Sequence, residues 1–95
     1  MKKKLLQIIR YYGIKSQIKK FNEESFELTE AMIEEIYSSF ADYSDNKQHI
    51  KEEIADNLVL LSQFILYYNI NLDEIEEIFK QKVERQLKRI EKDKK

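Results

Sequence analysis

With 95 residues the chain has room for one domain and a modest core. Charged residues are 37% and hydrophobic residues 42%, with one glycine and no proline, so little interrupts helices and no flexible linker is visible. A single all-α domain spanning 1–95 follows. The absence of cysteine excludes disulfides, zinc-thiolate sites and thiol catalysis, and is compatible with a cytoplasmic location. No stretch approaches the ~20 apolar residues of a membrane span, so no membrane partner is expected.

The net charge of -1 conceals an asymmetry. From Asn22 to Asp56 eleven acidic residues face only Lys47 and Lys51, whereas from Lys80 to Lys95 eight basic residues accompany Glu84, Glu91 and Asp93. An acidic middle suits a cation, and a basic last helix suits phosphates. The bland alternative is two solvated helix faces.

The N-terminus, Met1-Lys2-Lys3-Lys4, has the charge of a signal peptide, but Gln7 and Arg10 cut its apolar run short. It reads as an amphipathic first helix over 1–12, ended by Gly13, the residue that most readily takes a left-handed conformation. A long second helix is predicted over 14–41, with Ile18, Phe21, Ser25, Leu28, Met32 and Ile36 at steps of three and four. The polar run Asp42–Lys47 has the composition of a loop, with Ser44, Asp45 or Asn46 capping a third helix over 46–68. Asn69-Ile70-Asn71 forms the next break. Asn71 and Glu74 resemble a capping box opening a fourth helix over 72–92, which carries Leu72, Ile75, Ile78, Phe79, Val83, Leu87 and Ile90.

From Leu58 to Tyr68 the third helix is apolar on nearly every side. Such a helix must be covered all round, which a small monomer struggles to do, so a dimer or larger assembly is expected.

Two carboxylate pairs at the same spacing stand out: Glu24 with Glu27, and Glu53 with Asp56. Residues three apart share a helix face, so each pair projects its oxygens in one direction, and two such helices side by side make a box of four. Two like charges ~5 Å apart at an effective dielectric of ~20 repel by roughly 3 kcal/mol, so several contacts of this kind need water or a cation between them. On the third helix His49, Glu53, Asp56, Leu60, Gln63 and Tyr67 form one stripe, in which the carboxylates run into apolar surface. An ionised group beside buried surface needs a partner. The expected one is Mg²⁺ or Mn²⁺, hard cations taking oxygen ligands; no calcium loop of the EF-hand type is present. With such an ion, a diphosphate linkage could be polarised for attack by water, which implies hydrolysis of a nucleotide-type anhydride.

Other residues carry two readings each. Lys82, Arg85 and Arg89 form a cationic row that grips phosphates or simply ends a helix. Lys20 reaches a phosphate or pairs with Glu24 one turn on. Asn57 is a core amide or a ligand contact. His49 reads as an exposed polar residue before it reads as a base, and the tyrosines read as packing or interface residues, with base stacking a lesser role for Tyr67.

The arrangement resembles the MazG-like nucleotide pyrophosphohydrolases, whose hallmark is Glu-Glu-x-x-Glu on one helix and Glu-x-x-Asp on the next. Here these are Glu23-Glu24-x-x-Glu27 and Glu53-x-x-Asp56, flanked by Gln17-x-x-Lys20 and by Lys82-Val83-Glu84-Arg85-Gln86-Leu87-Lys88-Arg89. The likeness is to the small phage-type members and spans about Gly13 to Glu91. It implies an all-α NTP pyrophosphatase bundle completed by oligomerisation as a homodimer or homotetramer, Mg²⁺ dependence, and cleavage of a nucleoside triphosphate to the monophosphate and pyrophosphate. The metal ligands it implies are Glu24, Glu27, Glu53 and Asp56, with Glu23 outside them or assisting water. Substrate contacts would come from Gln17, Lys20, Asn57, Lys82, Arg85 and Arg89. Gln86 departs from the pattern, since many members carry Asn there, which bears on the nucleotide contacts more than on the metal ligands. The rival reading is a noncatalytic helical module that binds a partner through the apolar third helix. A nucleic-acid binder is disfavoured by the near-neutral total and by the acidic surface beside the basic one.

Overall fold

The computed structural model describes residues 1–37 and 43–94. Within them the chain is all-α: α1 (Lys2–Tyr12), α2 (Ile14–Tyr37), α3 (Tyr43–Tyr67) and α4 (Leu72–Asp93). The expected end of the second helix at Ala41 lies outside the described residues. The third helix begins earlier than its composition implies. Tyr43 to Lys47, read as loop and cap, already belong to α3.

Gly13 is a one-residue joint. Its N–H donates to the Ile9 carbonyl at 2.8 Å and closes α1, while its own carbonyl accepts from the Gln17 N–H at 3.1 Å and opens α2. It does so at φ 84° and ψ 149°, so its φ is positive as expected but its ψ is extended rather than left-handed helical. That corner of backbone space is reserved for glycine.

α3 closes on Asn69, which takes φ 52° without being glycine. The Ile70 N–H reaches back to the Ile65 carbonyl at 2.9 Å and the Asn69 N–H to Leu66 at 3.1 Å, the paired bonds of a Schellman end. Two residues later Asn71 accepts the Asp73 N–H on its side chain at 2.7 Å and starts α4, with Asp73 and Glu74 in the favourable first turn. This is the Asn71 half of the expected capping box.

α2 and α3 form an antiparallel hairpin. Gln17 meets Gln63, Phe21 stacks edge-on against Phe64 with centroids 5.6 Å apart, and Glu24 meets Asn57. α1 packs across α3 and α2, burying Ile9. α4 does not join this body: none of its residues is buried. The radius of gyration is accordingly 17.1 Å, against roughly 12 Å for a compact domain of this length.

A Cβ on Gly13 would meet nothing within 4 Å, so substitution there costs backbone conformation alone. Gly13→Ala is expected to lower unfolding free energy by about 1–3 kcal/mol, read as a lower urea midpoint at unchanged helix content.

Candidate metal centre and adjoining cleft

The face that α2 turns toward α3 carries Gln17, Glu24 and Ala31, seven residues apart and hence in one line. α3 answers with Glu53, Asn57, Leu60 and Gln63. Among the described residues only Ile9, Ala31 and Leu60 are buried apolar side chains, while Gln17, Glu24, Glu53, Asn57 and Gln63 are buried polar ones. A helix pair normally reserves this seam for apolar residues. Here it is mostly polar, and each polar group needs an account.

Three of the amides have one. Gln17 Nε2 donates to Gln63 Oε1 at 3.0 Å. Asn57 Nδ2 donates to two backbone carbonyls, Glu53 at 2.7 Å on its own helix and Glu24 at 3.1 Å across the seam. The structure therefore gives Asn57 the core-amide role, with its nitrogen committed to joining the helices.

The carboxylates are different. Glu24, Glu27 and Glu53 each offer an oxygen within 4.8 Å of the others. Glu24 and Glu53 are each 8% exposed, and the Oε2 atom of each is buried without a hydrogen-bond partner. Burial and the charges of Glu27, Glu24 and Asp56 hold the Glu53 carboxyl above the usual range, with His49 opposing weakly. Glu24 has one cation: Lys20 Nζ lies 3.2 Å from its Oε1, and that hydrogen bond raises the Lys20 pKa. Lys20 thus pairs with Glu24 and at the same time lines a cleft.

That cleft, about 350 Å³, opens beside the carboxylates between α1, α2 and α3. Its polar lining includes Gln17, Lys20, Glu24, Asp56 and Gln63, and Ile8, Tyr12, Val59 and Leu60 supply apolar surface. An apolar pocket with a few convergent polar groups is the common form of a small-molecule site.

The expected site residues thus divide. Glu24, Glu27 and Glu53 come together, with Gln17 and Lys20 adjoining. Asp56 faces the cleft beside Glu24 and acts electrostatically on Glu53, but is not within the close trio. Glu23 and His49 are exposed. Lys82, Arg85 and Arg89 sit on α4, outside the cleft lining, with no ion pair to the carboxylates among the described residues. Tyr67 stacks on Tyr68 at 5.0 Å, and the tyrosine at the cleft is Tyr12. Sequence reasoning passed over Tyr12 and Gln63 as site residues. An amide inside the apolar run from Leu58 to Tyr68, and 1% exposed in the fold, was the signal for Gln63.

A carboxyl with a higher pKa folded than unfolded binds more protons in the folded state. Its contribution is favourable below the unfolded value, ~4.3, and is lost as pH rises through the raised folded value. In chelator the melting temperature should therefore fall as pH is taken from 5 to 8. Glu53→Gln, which removes the charge but keeps the shape, should flatten that fall and melt several degrees higher than wild type at neutral pH.

Compared with known proteins, the chain matches no family model, no curated protein and no solved structure.

Proposed function

We propose that this chain is a Mg²⁺-dependent nucleoside triphosphate pyrophosphohydrolase of the MazG-like type, working as a homo-oligomer and cleaving ribo- or deoxyribonucleoside triphosphates to monophosphate and pyrophosphate. The observation that carries the reading is the pair of buried, unpartnered carboxylate oxygens of Glu24 and Glu53, contributed by two helices beside a cleft that Glu24 and Lys20 line. Buried charge of one sign without donors is costly, and a hard divalent cation meets that need better than any group on the chain.

The donor set fits Mg²⁺, and also Mn²⁺, because it is entirely carboxylate oxygen. Glu24, Glu27 and Glu53 would hold the ion, with Asp56 at the cleft edge as a fourth ligand. Once bound, the ion would neutralise phosphate charge and acidify water. Lys20 binds a phosphate oxygen, its pairing with Glu24 keeping the ammonium at the cleft wall. Glu23, outside those ligands, orients the attacking water and accepts its proton. Water adds to phosphorus of the α,β-anhydride, that P–O bond breaks, and pyrophosphate leaves. The cleft walls from Tyr12 to Gln63 take the base and sugar.

The noncatalytic interaction module draws support from the uncovered apolar surface of α3 and α4, but it gives the orphaned carboxylate oxygens no role. Pyrophosphate release over the common nucleoside triphosphates with Mg²⁺ or Mn²⁺ decides between them. At least one nucleotide should be cleaved, with Glu53→Gln lowering kcat more than about 100-fold. Mg²⁺ should also raise the wild-type melting temperature and leave that of Glu53→Gln unchanged. No release from any nucleotide, together with no thermal response to either ion, would leave the interaction module standing.

A further inference from the structure

The first 22 residues carry seven bases and no acidic side chain, whereas residues 23–95 carry ten bases and 18 acids. The near-neutral total is therefore the sum of a cationic end and an anionic remainder. α4 belongs to the remainder, since its six bases stand among seven acids, Glu84, Glu91 and Asp93 included.

Two of the seven N-terminal bases are accounted for. Lys20 pairs with Glu24. Lys2 lines a groove with Ser62 and Leu72, on the side where α4 begins with Asp73 and Glu74. The other five, Lys3, Lys4, Arg10, Lys15 and Lys19, are exposed and make no ion pair among the described residues. Projected at 100° per residue, Lys3, Lys4 and Arg10 lie roughly 100° or more from Ile9, the residue that α1 buries, and Gln7 and Tyr11 lie nearly opposite it. Lys15 and Lys19 stand roughly 160° from Gln17, on the side of α2 away from the seam. The part of α3 that α1 packs on, Val59 to Leu66, has no charged residue to neutralise them.

Bases gathered without carboxylates repel one another, and a polyanion relieves that repulsion. The Tyr11 ring indicates which polyanion. It is 82% exposed beside these bases and meets Tyr12 edge-on, with centroids 4.8 Å apart and planes at 81°. A solvent-facing ring flanked by cations can stack on an unpaired base while the cations take the neighbouring phosphates. An anionic bilayer fits this face less well. The apolar side of α1 is already used by the fold, with Ile9 buried and Leu5, Leu6 and Ile8 half-buried, so no apolar face is left to insert.

We infer that α1 and the start of α2 form a binding face for single-stranded nucleic acid, in which Lys3, Lys4, Arg10, Lys15 and Lys19 contact phosphates and Tyr11 stacks on a base. None of these six side chains lines the cleft beside the carboxylates. The strand is thus a ligand rather than the substrate proposed above, and its binding needs no metal.

Anisotropy of a fluorescent oligodeoxythymidine of about 15 nucleotides, titrated with the whole chain in chelator at low salt, tests this. Saturable binding is expected, with log K falling against log salt at a slope of about -3, roughly 0.7 per phosphate contact. Lys3→Ala with Arg10→Ala should make that slope shallower by about 1.4. Tyr11→Ala should weaken binding about tenfold at unchanged slope, and Tyr11→Phe should preserve it. Lys88→Ala with Lys92→Ala, on α4, should change neither quantity, and a duplex of the same length should bind more weakly. All these side chains are exposed, so helix content should be unchanged in every variant. Four results overturn the inference: no binding at low salt, with or without binding to phosphatidylglycerol vesicles; a loss that follows the α4 substitutions instead; tighter binding of the duplex; or wild-type binding by Tyr11→Ala.

Discussion

Like charge confined to a helix–helix seam governs this molecule. Glu24 and Glu53 stand where paired helices ordinarily place leucine or isoleucine, and their neighbours in the seam are amides rather than aliphatics. The hairpin consequently gains little from hydrophobic burial: among the described residues its buried apolar side chains are Ala31 and Leu60, and α1 adds Ile9. Directional contacts hold it instead: the Gln17–Gln63 bond, the double reach of Asn57 and the edge-on ring pair of Phe21 and Phe64. A seam built this way sacrifices cohesion for an arrangement of oxygens, as sites of chemistry commonly do. Much apolar surface accordingly lies outside the seam, on the outer sides of α3 and on α4.

Much of this was legible from residue order alone. Gly13 and Asn71 mark their boundaries because one needs unusual backbone freedom and the other has a short acceptor side chain, both local properties. The start of α3 was misjudged for a related reason. Ser, Asp and Asn suit a first helical turn as well as a loop, so Tyr43–Lys47 carry no signal that separates the two. The meeting of Glu24, Glu27 and Glu53 followed from equal spacing on two adjacent helices. The position of Asp56 at the edge did not, because a step of three residues turns a side chain by 60° from the seam and only the packed hairpin fixes which neighbours it keeps.

Periodicity reveals faces and is silent about destinations. The apolar stripe and cationic row of α4 were both read correctly as features of one helix, yet the row does not reach the carboxylates of its own chain. A short turn through Asn69 and Asn71 sends α4 away from the hairpin; apart from the Asn71 cap, the bonds that set this direction join backbone atoms common to every residue. Likewise, the third helix is apolar on nearly every side from Leu58 to Tyr68, and only packing decides that α1 and α2 cover one side and leave Leu58 56% exposed on another.

Asn57 grips the main chains of Glu24 and Glu53, the same two residues whose carboxylates confront each other. One planar amide thus acts as a caliper, setting the gap between the helices at the level where the oxygens converge. The separation of the two carboxylates is thereby written into the length of a side chain that touches neither of them. A glutamine in its place, one methylene longer, would spread the jaws and part the oxygens that now converge.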